Sequence, residues 1–186
     1  MDEKILSSYH AWCAHASADP DLARELAAMA QDEAALSDAF YRDLAFGTGG
    51  LRGVIGAGTN RMNVYTVAKA SQGLANYVVR RFSPEARRIA VSYDSRIKSD
   101  LFARVAAGVF AANGISVFIY PHLMPTPCLS YAVRALGCAA GVMVTARITR
   151  PSTTATRYTV PTAAKSPPKR RMKLCAKLSG WTSLPT

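Results

Sequence analysis

From residue 147 to residue 186 the chain lacks Asp, Glu, Asn, Gln and Phe, and this absence divides the sequence in two. All 12 acidic residues lie before residue 147, together with 14 of the 23 basic residues, so residues 1–146 carry a net charge of only +2. The other nine basic residues give the tail, residues 147–186, most of the total charge of +11. The basic balance therefore describes the tail and says little about the rest of the chain.

Cysteine is scarce, and its spacing indicates neither a disulfide nor a zinc framework. The four residues are Cys13, Cys128, Cys138 and Cys175. They form no CxxC pair and have no histidine at metal-binding spacing, so we expect buried or bystander thiols. No apolar run reaches the length of about 20 residues that crosses a membrane. The start, Asp2-Glu3-Lys4, lacks the pattern of a signal peptide. We expect a cytoplasmic protein with no membrane partner.

Hydrophobic periodicity before residue 147 predicts an α/β fold. Residues 1–44 show helical spacing and form an N-terminal helical extension, and residues 66–82 form an amphipathic helix. Short apolar strands then alternate with helices as far as residue 145. This alternation predicts a three-layer α/β/α domain with a mixed, mostly parallel sheet over residues 45–146. The tail follows it, and its Thr, Pro, Lys and Arg bias predicts disorder.

A glycine-dense segment, Phe46–Gly53, predicts an irregular loop. Its four glycines allow backbone N–H groups to converge on an anion, and Arg52 adds a fork-shaped cation suited to phosphate oxygens. The segment is neither a P-loop nor a dinucleotide fingerprint, because no Gly-Lys-Ser/Thr follows and Arg52 stands at the third glycine position. A tight turn between a helix and a strand is the alternative interpretation, and both stay open.

Three segments stand at the carboxyl ends of predicted strands, and each contains polar residues. They are Tyr93-Asp94-Ser95-Arg96, Pro125-Thr126-Pro127 and Val144-Thr145-Ala146. Ligands of open α/β sheets bind outside the carboxyl ends of the strands. A helix cap with a solvated ion pair between Asp94 and Arg96 is the alternative. Taken with the glycine segment, the three strand ends predict an anion site on one rim of the sheet.

These segments resemble the first domain of the α-D-phosphohexomutases, the phosphoglucomutase/phosphomannomutase family. The resemblance runs from about Tyr9 to Ala146, and residues 41–63 carry its most specific motif, Tyr-Arg-Asp-Leu-Ala-Phe-Gly-Thr-Gly-Gly-Leu-Arg-Gly-Val-Ile-Gly-Ala-Gly-Thr-Asn-Arg-Met-Asn. The segments at residues 93–96, 125–127 and 141–146 follow in the family's order. The motif is closer to the phosphoglucomutase/phosphopentomutase branch than to the shorter phosphomannomutases.

The resemblance implies an isomerase of carbohydrate metabolism that interconverts a hexose 1-phosphate and a 6-phosphate by intramolecular phosphoryl transfer. Its substrates would be hexose or pentose phosphates and a sugar bisphosphate. It implies catalytic roles for Arg52, Asp94 and Arg96. It implies phosphate-binding roles for Thr48, Gly49, Gly50, Ser95 and Thr145. The family's Mg2+ is held by carboxylates in a later Asp-Gly-Asp segment, which this sequence does not contain, so no metal ligand is assigned here.

The family's phosphorylated serine is absent from its expected position. In the family, Ser-His-Asn-Pro directly follows the Thr-Ala strand end, whereas Arg147-Ile148-Thr149-Arg150-Pro151 stands here. Synonymous codons can be chosen for Ala146 to Arg157 that, read in a frame displaced by two bases, spell Ser-His-Asn-Pro-Ser-Lys-Tyr-Asn-Gly-Tyr-Lys. That peptide continues the family's motif, so we interpret the tail as an out-of-frame segment following a one-base loss.

The sequence therefore predicts a phosphohexomutase first-domain fragment without catalytic activity. Two alternatives from other classes remain. One is a sugar-phosphate or anion-binding or regulatory module that works without catalysis. The other is a basic protein that binds nucleic acid non-specifically through the tail, by counterion release.

Overall fold

The computed structural model describes residues 2–16, 19–47, 50–146 and 153–159, with Ala146 and the last run described by backbone alone. Three helices come first, namely α1 (Glu3–His15), α2 (Pro20–Ala28) and α3 (Glu33–Phe40). An aspartate precedes each helix, and its side chain accepts a hydrogen bond from a backbone N–H of the first turn. These caps satisfy donors that a helix start leaves unpaired, which is why the helices begin where they do.

In the part of the chain that the structure describes, the remaining elements are one sheet of six strands, three further α-helices and a short 3-10 helix at Pro84–Ala86. The strands are β1 (Phe46–Gly47), β2 (Gly50–Val54), β3 (Arg88–Tyr93), β4 (Ser116–Ile119), β5 (Ala140–Ala146) and β6 (Thr153–Thr159). The helices are α4 (Val64–Arg81), α5 (Ser99–Ala112) and α6 (Thr126–Ala135). The strand order is β1-β2-β6-β5-β3-β4. The expected mixed sheet is confirmed: β4, β3 and β5 run parallel, while β1, β2 and β6 make antiparallel pairs.

Helices cover both faces of the parallel strands, as the three-layer prediction requires. On one face Val91 and Val142 pack in a large core with Phe102 and Phe110 of α5 and with the apolar side of α4. The first three helices contribute to the same core, and the rings of Trp12 and Tyr65 meet edge-on with centroids 5.4 Å apart. On the other face a smaller cluster joins Ala90 and Met143 to Leu129, Ala132 and Val133 of α6. The parallel strands are apolar on both sides for this reason.

The glycine-dense segment is not an irregular loop, so the sequence interpretation was wrong there. Gly47 and Gly50 are a register pair at the end of a hairpin, and Phe46 pairs with Leu51. Gly50 has φ 117, a conformation that a residue with a Cβ rarely adopts. Gly47 and Gly50 allow the two strands of the hairpin to connect closely, and they still pair with each other in the sheet. Thr48 and Gly49 lie outside the described residues.

The prediction of disorder for the tail does not hold at Thr153–Thr159. There the backbone forms β6, which pairs antiparallel with β5 from Gly141 to Ala146 and with β2 from Leu51 to Val54. The physical reason is that β2 and β5 both present open edges, and a threonine-rich segment suits the extended backbone that fills them. The other tail residues lie outside the described part of the chain.

The connection from β2 to α4 is held by buried polar contacts. The amide of Asn63 donates to the carbonyl oxygens of Gly56 at 2.9 Å and Gly58 at 3.0 Å, and its oxygen caps α4 by accepting from Thr66 N–H. Glu25 of α2 accepts from the Ala57 N–H at 2.7 Å. Gly58 has φ 121, and a Cβ there would lie 2.5 Å from the Ala39 carbonyl oxygen. These contacts fix where β2 ends.

Candidate functional site

Asp94 joins the carboxyl ends of two parallel strands and the start of α5. Its Oδ2 accepts a hydrogen bond from the Thr145 hydroxyl at 2.6 Å, and its Oδ1 accepts one from the Ser99 hydroxyl at 3.0 Å. Oδ1 also accepts from the Arg96 N–H at 3.3 Å, and the Arg96 Nε lies 3.5 Å from Oδ2. Both carboxylate oxygens are thus used to hold the rim together, and they keep Arg96 beside the end of β5.

Arg52 lies in the same cross-strand row as Thr145. Both residues are register partners of Ala155 in β6, so two strand spacings, roughly 10 Å, separate their backbones. Their neighbours Leu51 and Val144 are buried in the large core. Because successive side chains of a strand point to opposite faces, Arg52 and Thr145 both face the side on which α6 packs. Arg52 is exposed there, and its cation faces solvent.

The remaining predicted site residues divide between this rim and the undescribed segments. Ser95 is exposed at the turn between β3 and α5, and Gly50 is the buried first residue of β2. The structure thus brings Asp94, Ser95, Arg96 and Thr145 together, with Arg52 in their row. Thr48 and Gly49 lie outside the described residues, as does Arg147, which stands where the family's serine is expected.

Two helices begin at the same rim. The α5 helix starts at Ser99, directly after the Asp94–Lys98 turn, and α6 starts at Thr126 with Pro127 in its first turn. The segment before α6 is held to β3, because the Ser92 hydroxyl donates to the Met124 carbonyl at 2.8 Å and the Met124 N–H donates to the Tyr93 carbonyl at 3.1 Å. The positive ends of two helix dipoles therefore add to the cations Arg52 and Arg96 on this rim, and the arrangement favours an anion.

Sequence reasoning missed the role of Lys98. It precedes the first residue of α5 with φ 59, and its ammonium group lies 3.1 Å from carboxylate oxygens of both Asp19 and Asp21. The sequence gives little indication of these ion pairs, because the aspartates stand almost 80 positions away from Lys98. It does not indicate the left-handed backbone either, because lysine is not a residue type that favours this conformation. The alternative of a simple Asp94–Arg96 cap is also too narrow, since Asp94 bonds across to β5.

The residues present here do not form a magnesium site. Among the residues that the structure describes, no group of three or more His, Cys, Asp or Glu side chains is placed to hold a metal ion. The rim carboxylate, Asp94, has both oxygens engaged in hydrogen bonds.

None of the helices in the described part of the chain combines the length and the apolar character needed to span a bilayer.

Cations and helix starts at the carboxyl ends of parallel strands are typical of open α/β proteins, which bind their ligands at that edge of the sheet. Residues 43–183 match the family model described as phosphoglucomutase/phosphomannomutase, alpha/beta/alpha domain I. The chain therefore belongs to the phosphoglucomutase/phosphomannomutase family and carries its first domain. The match includes most of the tail.

Similar proteins agree with this family. The chain is 44% identical over 118 residues to a Schizosaccharomyces pombe protein assigned as a phosphoribomutase, which covers 63% of this chain and 20% of that one. It is 39% identical over 107 residues to the phosphoglucomutase of Staphylococcus haemolyticus, covering 58% and 19%. A crystal structure of a Thermus thermophilus protein assigned as a phosphomannomutase matches with a TM-score of 0.64 and 28% identity, over 74% of this chain and 30% of that one. The chain thus spans about a fifth of the length of the curated relatives it matches.

Proposed function

We propose that this chain supplies the phosphate-handling first domain of an enzyme that interconverts a sugar 1-phosphate with its 5- or 6-phosphate isomer. The observation that carries the proposal is the row formed by Arg52 in β2 and Thr145 in β5, with Asp94 bonded to Thr145. A phosphoryl group carries its charge on several oxygens, and a guanidinium fork pairs with two of them at once. Arg52 and Arg96 provide such forks on the two sides of the strand end.

In its recorded form the chain is proposed to be inactive in phosphoryl transfer. Covalent transfer needs a nucleophile at the strand end, and the residue after Ala146 is Arg147, whose guanidinium has no nucleophilic oxygen. The rim residues would bind and orient a phosphate, whereas the residue directly after Ala146 carries no hydroxyl. We propose a shifted reading frame after Ala146 as the origin of this substitution.

The first test is a direct read of the coding DNA across the codons for Thr145 to Pro151. One additional base would give a protein with Ser-His-Asn-Pro after Ala146, and the recorded tail would then be an error of the record. An unchanged sequence would contradict that explanation and leave the chain without the family's serine.

The second test measures phosphoryl transfer directly. The recorded chain and a frame-restored chain, with serine directly after Ala146, are incubated with labelled glucose 1,6-bisphosphate and Mg2+. The restored chain is expressed from the complete frame-restored reading frame. We expect label on the serine of the restored chain and none on the recorded chain. Conversion of glucose 1-phosphate by the recorded chain at an ordinary enzyme rate of about 10 per second would contradict the proposed inactivity.

Binding without catalysis is the second candidate function. The observation that favours it is that Arg52 and Ser95 are exposed on the rim although the serine is absent. Titration of the recorded chain with glucose 1-phosphate, followed by NMR, is expected to move the amide signals of Ser95 and Arg96. Arg52→Ala should weaken this binding, while Arg104→Ala, which removes an exposed arginine of α5, should not.

A further inference from the structure

The backbone at Lys98 is held in an unfavourable conformation. Among the described residues that are not glycine, Lys98 alone has a positive φ, at 59°. The left-handed region is unfavourable for an L-residue, and lysine has no short polar group that could compensate by bonding to its own backbone. Such a conformation persists only where surrounding contacts determine it.

Those contacts come from the start of α2. The Lys98 ammonium lies 3.1 Å from Asp19 Oδ2 and 3.1 Å from Asp21 Oδ2. Asp19 is buried, and its other oxygen accepts from the Asp21 N–H, so the first turn of α2 holds both carboxylates in place. The Lys98 side chain is itself mostly buried, so its contact with Asp19 is shielded from water, while the Asp21 carboxylate is half exposed.

Lys98 lies in the turn that carries the phosphate rim. The Lys98 carbonyl accepts from the Phe102 N–H at 2.9 Å as the first hydrogen bond of α5. The next residue, Ser99, donates through its hydroxyl to Asp94 and through its N–H to the Arg96 carbonyl at 3.0 Å. The residues from 94 to 99 are thus tied to β5 at one end, through Asp94, and to α2 at the other, through Lys98.

We propose that Lys98 is a positioning residue, through which the N-terminal helices hold Ser95 and Arg96 in the geometry that receives a phosphate. The role assigned to the rim rests on the proposed function. The ion pairs from α2 compensate for the left-handed backbone of Lys98, and that backbone aims the turn so that Arg96 stays beside Asp94. The helices before residue 41 then belong to the working part of the site although none of their residues lies on the rim.

Amide hydrogen exchange of the complete 186-residue chain tests the positioning role without any ligand. Lys98→Gly keeps the left-handed backbone accessible and removes the ammonium, while Lys98→Arg keeps the charge. We expect the Arg96 and Ser99 amides to exchange about tenfold faster in Lys98→Gly, with the buried β3 amides unchanged, because only the turn opens. Lys98→Arg should restore most of the protection.

Lys69→Ala is the matched control, because Lys69 of α4 makes a comparable ion pair with Asp43 at 2.9 Å outside this turn. It should leave the Arg96 and Ser99 amides as they are. Equal acceleration in the turn and in β3, or no acceleration in Lys98→Gly, would overturn the proposal. So would equal acceleration in the turn on Lys69→Ala.

A titration with inorganic phosphate separates this proposal from the proposed function. If the unaltered chain binds phosphate at the rim, Lys98→Gly should weaken binding several-fold and Lys98→Arg should restore it; unchanged binding in Lys98→Gly would overturn the positioning role. If the unaltered chain does not bind phosphate at the rim, the phosphate-handling function is wrong. The exchange measurement still decides whether Lys98 holds the turn.

Discussion

At the scale of single residues, Asp94 shows how a short motif can be positional rather than reactive. Its carboxylate accepts hydrogen bonds from the Thr145 hydroxyl of β5 and the Ser99 hydroxyl of α5. It also accepts one from the backbone N–H of Arg96, in the turn between β3 and α5. A carboxylate with this many donors is well satisfied, and the geometry of the rim depends on it. Asp94 thus holds Arg96 in place beside the end of β5.

Thr145→Val should lower the free energy of unfolding by about 1 kcal/mol, because valine has nearly the same shape and removes the hydroxyl that donates to Asp94. Urea denaturation with a common m-value measures the change. Ser95→Ala is the control, because it removes an exposed hydroxyl from the neighbouring turn. The expected change in its free energy of unfolding is below about 0.5 kcal/mol. A loss for Thr145→Val no larger than that of the control would contradict the role of this hydrogen bond.

The ion pairs of Lys98 predict a pH dependence with a defined sign. The hydrogen bond from Lys98, with the charges of Lys98 and Arg24, holds the pKa of Asp21 below its ordinary value of 3.8. Burial by itself would lower the pKa of Lys98, but its hydrogen bonds to Asp21 and Asp19 raise it above 10.5. The stabilisation is therefore full between these values and is lost as the pH falls through the folded-state pKa of Asp21 or rises through that of Lys98.

The measurement is the difference in unfolding free energy between the unaltered chain and Lys98→Gly across the pH range. We expect a plateau at neutral pH with a decline in strong acid and another in strong base. A difference that is the same at pH 2 and pH 7 would contradict this linkage.

At the scale of elements, the close packing of α6 on β5 depends on Gly141. A Cβ at this position would lie 2.6 Å from Val133 Cγ2 and 3.4 Å from Leu129 Cδ1. Gly141→Ala should therefore destabilise the fold by about 1–3 kcal/mol, because the helix must move away from the sheet.

Gly108→Ala is the opposite case and the control for Gly141→Ala. It lies exposed in α5, and a Cβ there meets nothing within 4 Å. This change should stabilise the fold by about 0.5–1 kcal/mol, since alanine restricts the unfolded chain and favours the helix. Thermal unfolding of both variants gives the signs directly, and a shift of the same sign in both would contradict the packing argument.

The strand β6 predicts a sharp boundary for truncation. A chain that ends after Ala146 loses β6 and exposes the edges of β2 and β5, whereas a chain that ends after Thr159 keeps both pairings. We expect aggregation or non-cooperative melting of the first and cooperative melting of the second, because long unpaired edges template association. Analytical size exclusion with thermal melting compares them. Identical behaviour of the two would show that β6 contributes nothing.

The elements that the sequence predicted well are those with a strong periodic signal. The helix α4 lies within two residues of its predicted ends, and strands and helices alternate after it as predicted, because apolar spacing is a local property of the sequence. The hairpin and β6 were missed for the opposite reason. Glycine content suggested a loop at Phe46–Gly53, whereas Leu51 pairs with Phe46 in the hairpin and with the distant Thr156 in β6. Propensity carries no information about such a partner.

The candidate site was predictable in its composition but not in its connections. The order of the strand ends placed Asp94 and Thr145 on one rim. The sequence did not indicate the hydrogen bond between them, whose partners are separated by 51 positions in the chain. Nor did it indicate the ion pair of Asp19 with Lys98, whose partners are separated by 79 positions. The first contact follows from the pairing of β3 with β5, and the second from the position of α2 beside the turn before α5; no local pattern encodes either.

At the scale of the whole molecule, the charge is unevenly distributed along the chain. Six of the nine basic residues of the tail follow Thr159. Binding to a mixed-sequence DNA duplex should therefore be weak, independent of sequence and steeply dependent on salt, because cations release counterions from phosphates. The chain ending after Thr159 should bind less tightly and with a smaller salt slope, as measured by fluorescence anisotropy. Equal slopes in both chains would place the binding surface elsewhere.

The strand order also sets a schedule for assembly during synthesis. Arg52 is made early, yet its strand is joined to the rest of the sheet through β6, where its register partner Ala155 comes about 100 residues later. Until that strand leaves the ribosome, the β1–β2 hairpin has no sheet to join, while the parallel half can already close between Arg88 and Ala146. The cation of the rim is thus set in place last, and a nascent chain that has emerged from the ribosome only as far as residues 147–153 would hold a formed parallel half and an unattached hairpin.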